Sequence, residues 1–188
     1  MSAYKVINGI TIYRIVAAPF LLWLLYNDYY DWFKWLLMVS FLTDAIDGYL
    51  ARKFKVNSKL GATLDSIGDD LTVGVAIIGM FIMYLDFLTQ HLYLVIAMLG
   101  LYLFQNIISL LRYNKLSSFH TYSAKAAAVL QALFLMSAFF MTEPIEALFY
   151  FAGIITIVDL IEEVILVFLL KDWQTDVKGL YWVMRNRK

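Results

Sequence analysis

Five aspartates interrupt two otherwise apolar segments of this chain, Asp44 and Asp47 in one and Asp65, Asp69 and Asp70 in the next. An ionised carboxylate in a hydrocarbon layer costs at least ~2.5–3.5 kcal/mol, so acids in such segments are functional by default. Spacing sorts them. Asp44 and Asp47 are i, i+3, and Asp65 and Asp69 are i, i+4, so on helices each pair occupies one face. Asp70 falls off the Asp69 face and reads as an interhelical polar contact. The linking ARKFKVNSK stretch is short, which makes the two helices antiparallel neighbours with their acidic ends opposed. Four carboxylates converging in a low dielectric cannot all stay ionised without compensating charge. Protonation is one resolution; divalent cations are the other. Hard oxygen ligands in that number suit Mg²⁺ or Mn²⁺ rather than zinc. Salt bridges to Arg52, Lys53 and Lys59 are the alternative, and two face-matched pairs favour the metal.

The elements that must carry these acids are long apolar helices. Of 188 residues, 62% are hydrophobic, and the mean hydropathy is +0.72. A soluble domain is nearer half apolar, so the excess calls for a bilayer. Six stretches each approach the ~20 residues that cross a hydrocarbon core: 10–26, 32–50, 60–85, 92–111, 122–141 and 145–170. The connections lack the composition of domain linkers, so residues 1–188 read as a single all-α membrane domain, with 171–188 as a juxtamembrane tail. Of the 15 Lys and Arg, all but Lys34 fall on one side of this arrangement. By the positive-inside rule both termini and the acidic helix ends are then cytoplasmic. The tail, KDWQTDVKGLYWVMRNRK, mixes aromatics with bases and reads either as a segment lying against anionic headgroups or as a frayed end. The opening MSAYKVINGITIYRIVAAPF lacks signal-peptide layout and reads as mature protein. There is no cysteine, which excludes disulfides, thiolate metal sites and cysteine nucleophiles. A net charge of zero gives no reason to expect a nucleic-acid partner.

With its small residues included, the acidic region is DAIDGYLARKFKVNSKLGATLDSIGDD. Asp44, Asp47, Gly48, Ala51, Arg52, Gly61, Asp65 and Asp69 stand at the identities and separations of the CDP-alcohol phosphotransferase motif, which this stretch resembles. The resemblance implies a divalent metal pair, Mg²⁺ or Mn²⁺, held by Asp44, Asp47 and Asp65 with Asp69 close by. It implies Asp69 as general base, and Asp44, Gly48, Ala51, Arg52 and Gly61 as the nucleotide site. These residue types suit the roles: glycines admit a nucleotide to the backbone, and Arg52 offers a charged planar fork for diphosphate oxygens. Close helix packing is the other use for such glycines. The implied reaction transfers a phosphatidyl group from CDP-diacylglycerol to an alcohol and releases CMP, at a prokaryotic plasma membrane and in a homodimer.

For the acceptor, the opening NGITIYRIVAAP is similar to the start of phosphatidylglycerophosphate synthases, which makes Asn8, Thr11 and Arg14 candidates to touch substrate phosphate. Arg14 reads equally as a side chain snorkelling to the interface. Arg112, His120 and Lys125 form a basic group suited to an acceptor carrying its own phosphate, glycerol 3-phosphate or inositol phosphate. The ordinary positive-inside loop predicts the same bases. Ser66, Gly68 and Asp70 depart from the Pro and the Ala-Asp-Lys of those synthases, so serine and phosphatidylglycerol stay open as acceptors. Asp159, Glu162 and Glu163 form a second acidic group outside the motif, with three open readings: pairing with Arg112 or Lys125, lining an acceptor cavity, or a dimer contact. A cation-coupled transporter is the competing class, but it needs acids leading to both faces and an inverted repeat, and the motif occurs once. A catalytically dead scaffold is expected to have lost a motif aspartate, and all four are present.

Overall fold

The computed structural model describes residues 3–54, 59–117, 119–175 and 177–185, with the backbone alone for helical residues 3–8, 10, 11, 45, 47–54 and 59–66. All regular structure among the described residues is helical: α1 (Ala3–Tyr26), α2 (Tyr30–Phe54), α3 (Lys59–Met83), α4 (Leu85–Gln90), α5 (Leu92–Tyr113), α6 (Tyr122–Phe140), α7 (Glu146–Leu169) and α8 (Leu180–Arg185). The six long helices coincide with the six apolar stretches to within a few residues, apart from an early start to α1. The short α4 and α8 were not expected. Two helices, α5 and α6, are long and apolar enough to cross a membrane by length and composition.

The chain forms two compact units, Met1–Leu85 and Asp86–Lys188. In the first, α1 packs on both α2 and α3. Each helix contributes a stripe at helical spacing: Arg14, Ala17, Ala18, Leu21, Leu24 and Leu25 on α1; Phe33, Leu37 and Ser40 on α2; Thr72, Val75, Ala76 and Met80 on α3. Alanines in two of the stripes let the helix axes approach closely.

In the second unit, α7 packs on both α5 and α6. Gly153 on α7 is the contact point with α5. A Cβ there would sit 2.8 Å from Leu94 Cδ2, so the bare backbone is what lets Leu94 seat. Thr121 caps α6 by accepting from Ala124 N at 3.0 Å. Asn114, left-handed at φ 57°, ends α5.

The C-terminal segment is docked, which sets aside the frayed end, one of the two readings of the tail. Leu166, Val167, Leu170 and Val177 close around Phe119, with Leu180 and Val183 of α8 packed against them. Val177 N donates to Phe119 O at 2.8 Å, and Trp173 Nε1 to Leu116 O at 3.0 Å. Lys115 Nζ lies 4.4 Å from the centre of the Trp173 ring.

Candidate active site

The three stripes of the first unit lead to the motif. Ser40 and Asp44 continue the buried face of α2 by one turn, and Asp69 stands beside Gly68 on the α1-facing side of α3. Between them lies Arg14, which occupies the first turn of the buried α1 stripe and therefore points inward rather than to an interface. Its Nη1 donates to Asp44 Oδ1 and, at 2.5 Å, to Asp69 Oδ1. The Arg14 side chain is 0% exposed, whereas those of Asp44 and Asp69 are 41% and 45% exposed. The guanidinium is thus sealed behind the acids, and the acids keep an open side.

Gly68 gives the guanidinium room. A Cβ at 68 would stand 3.3 Å from Arg14 Nη2 and 3.4 Å from Cζ, tighter than ordinary side-chain contact. Thr72 Oγ1 donates to Gly68 O at 2.8 Å, fastening the same turn of α3. In the sequence alone, Gly68 is only a departure from a pattern.

Since one nitrogen touches an oxygen of each carboxylate, Asp44 and Asp69 lie within bridging distance of a common cation. That donor set, hard and partly exposed, fits Mg²⁺ or Mn²⁺. Among the described residues no group of three or more acids or histidines forms a metal site. The side chains of Asp47, Asp65, Gly48, Ala51, Arg52, Gly61, Asn8 and Thr11 lie outside the described residues. Their backbones are helical, Asn8 and Thr11 on α1, positions 47–52 on α2, and 61 and 65 on α3. Because α3 runs unbroken, positions 65 and 69 keep their i, i+4 register. Asp70 is exposed.

The basic candidates of the second unit share one end of it, but each has its own partner. Arg112 Nη2 donates to Leu170 O at 3.0 Å, satisfying a carbonyl where α7 ends. Lys125 Nζ lies 5.7 Å over the Tyr122 ring. His120 is exposed, in a left-handed turn at φ 51°.

The acids of α7 bind hydroxyl, amide and backbone donors. Glu163 Oε2 accepts from Gln105 Nε2 at 2.8 Å and from Ser117 Oγ at 3.1 Å. Asp159 Oδ1 accepts from Ser123 Oγ at 3.0 Å and from Thr121 Oγ1 at 3.2 Å. Glu162 accepts from Ser123 Oγ and, through Oε1, from Leu180 N at 2.6 Å. This network ties α5, the start of α6 and the C-terminal segment to α7, which is a structural use of acids. Gly179 sits at φ 139°, and a Cβ there would lie 2.9 Å from Glu162 Oε1. Gly179→Ala is therefore expected to cost about 1–3 kcal/mol in local docking. Limited proteolysis of the C-terminal segment in detergent checks it, and an unchanged cleavage rate would count against the latch.

An all-helical chain with an acid–guanidinium site among three packed helices thus carries the motif residues Asp44 and Asp69. The family model described as CDP-alcohol phosphatidyltransferase matches residues 5–170, and the chain belongs to that family. Curated relatives agree in name. A CDP-diacylglycerol--glycerol-3-phosphate 3-phosphatidyltransferase of Cereibacter sphaeroides is 35% identical over 79 residues, covering 40% of this chain and 36% of the relative. The chloroplastic enzyme 1 of that name from Oryza sativa subsp. japonica is 34% identical over 73 residues, 39% of this chain and 22% of the relative. That of Salmonella choleraesuis is 34% identical over 76 residues, 37% of this chain and 40% of the relative. The chain spans less than half the length of these curated relatives. No solved structure matches.

Proposed function

We propose that the protein is an integral-membrane phosphatidyltransferase that moves a phosphatidyl group from CDP-diacylglycerol to glycerol 3-phosphate and releases CMP. The observation that carries this reading is the meeting of Asp44 and Asp69, from separate helices, with their open sides exposed. The acceptor rests on the curated relatives, whose names specify glycerol 3-phosphate. In this reading the six long helices span a prokaryotic plasma membrane, with both termini and the acidic site cytoplasmic. The placement of Lys and Arg supports that orientation.

Asp44, Asp47, Asp65 and Asp69 would hold two divalent ions, Mg²⁺ or Mn²⁺, which would neutralise diphosphate charge. Gly48, Ala51 and Gly61 admit the cytidine nucleotide to the helix surfaces, and Arg52 pairs with diphosphate oxygens. Asp69 accepts the proton of the acceptor hydroxyl. The acceptor oxygen forms its bond to the phosphorus that carries the lipid, the bond from that phosphorus to the CMP oxygen breaks, and CMP departs. Positioning and charge neutralisation are the main demands of such an in-line transfer. Asn8 and Thr11, on the same helix as Arg14, supply donors for the acceptor's phosphate, and a homodimer is the assembly.

The test is CMP release by purified protein from CDP-diacylglycerol, with Mg²⁺, across glycerol 3-phosphate, inositol phosphate, serine and phosphatidylglycerol. Release with glycerol 3-phosphate alone supports the full reading. Release with another member reassigns the acceptor while keeping the chemistry, and no release with any of them from folded protein overturns it.

A further inference from the structure

We propose that Arg14 is a built-in counter-cation of the acidic site, which competes with divalent ions for Asp44 and Asp69 and so holds their affinity down. This role rests on the metal reading of the four aspartates given above. Arginine keeps its proton in proteins, so a guanidinium with a fully buried side chain brings a permanent positive charge that must be matched locally. Asp44 and Asp69 match it, each through Oδ1 on the same Nη1. The charge enters from α1, whereas the acids come from α2 and α3, so Arg14 also fixes the two carboxylates relative to each other.

Nothing about the placement is incidental to the packing. Ala17, Ala18 and Leu21 bury the α1 face that carries Arg14, which aims its side chain between the other two helices. Gly68 leaves the space that the guanidinium fills, to within 3.3 Å of where a Cβ would be. A divalent ion that reaches the same Oδ1 atoms must either share them with Nη1 or displace it. Like charges a few ångströms apart in a partly buried site repel strongly. Arg14 therefore stabilises the clustered acids when divalent ions are scarce and weakens their grip on those ions when they bind. An ion held less firmly can exchange with the nucleotide at each turnover instead of staying locked among the carboxylates.

Two effects oppose each other when Arg14 is removed. The acids lose their mutual positioning, which weakens metal binding, and they lose a neighbouring positive charge, which strengthens it. The charge term is the larger, because a unit charge at hydrogen-bond distance acts directly on Asp44 Oδ1 and Asp69 Oδ1, two oxygens a dication would use.

The experiment measures Mn²⁺ binding by electron paramagnetic resonance on the full chain in detergent micelles, without nucleotide, together with thermal unfolding in EDTA and in Mg²⁺. Arg14→Gln is expected to bind Mn²⁺ at least about tenfold more tightly than the unsubstituted protein. Its unfolding temperature is expected to fall in EDTA and to recover in Mg²⁺, where the dication replaces the lost charge. An equal fall in both conditions would mean that Arg14 merely packs, and Mn²⁺ affinity that is unchanged or weaker would equally overturn the proposal. Gly68→Ala crowds the guanidinium while keeping its charge and the helix, and is expected to tighten Mn²⁺ binding by a smaller factor. If Arg14→Gln folds in neither condition, Gly68→Ala decides, and no tightening there overturns the role. Failure of the unsubstituted protein to bind Mn²⁺ would sink the metal reading itself, and this inference with it; binding without any response to the variants sinks this inference alone.

Discussion

Asp69→Asn is expected to lower kcat for CMP release by at least about a thousandfold, since on the proposed mechanism it removes the general base from a site that also depends on charge. The amide has the shape of the carboxylate and can still accept from Arg14 Nη1, so the contact across α1 and α3 survives the change. What is lost is the ability to take a proton and one negative charge. The deficit should therefore appear in kcat and should not be recovered by raising acceptor concentration, the mark of an interaction made in the transition state. Steady-state CMP release across acceptor concentrations checks it. Activity within tenfold of the unsubstituted protein would remove Asp69 from the role of base.

Chelation is the second large effect. EDTA is expected to reduce CMP release to the uncatalysed level, and Mg²⁺ or Mn²⁺ added in excess is expected to restore it. On the proposed mechanism, the diphosphate and four aspartates gather negative charge around the reacting phosphorus. Arg14 and Arg52 together cannot neutralise it, and Arg14 is already engaged with Asp44 and Asp69. Full activity in EDTA, with no divalent ion detectable in the preparation, would show that the basic side chains suffice. Because Arg14 spans the two acids, the fold itself is expected to survive chelation, so lost activity should return on adding the ion without refolding. Circular dichroism in EDTA separates the two possibilities.

The sequence by itself determined the helices and the motif register. A long, mostly apolar stretch sets where each long helix runs, since a helix satisfies its backbone hydrogen bonds within the segment itself. The α2 and α3 boundaries, Tyr30–Phe54 and Lys59–Met83, fall within a few residues of that reading. The i, i+3 and i, i+4 spacings follow from helix geometry once those helices exist. Family membership was equally legible, because the motif is a matter of identity and spacing along the chain.

Tertiary structure decided which side chains oppose one another. Arg14 read equally well as a snorkelling base, because spacing along α1 does not tell which neighbour covers its face. Only the packing of α1 on α2 and α3 turns it toward Asp44 and Asp69. Gly68 likewise acquires meaning only as the space beside that guanidinium. The acids of α7 could have paired with Arg112 or Lys125 by charge alone. The fold instead gives Glu163 to Gln105 and Ser117, Asp159 to Ser123 and Thr121, and Glu162 to the backbone of the C-terminal segment. Charge and periodicity act along one helix and can be read from its letters. Partner choice among buried polar groups is set by which donors long-range packing brings within about 3 Å, and that is a property of the folded chain.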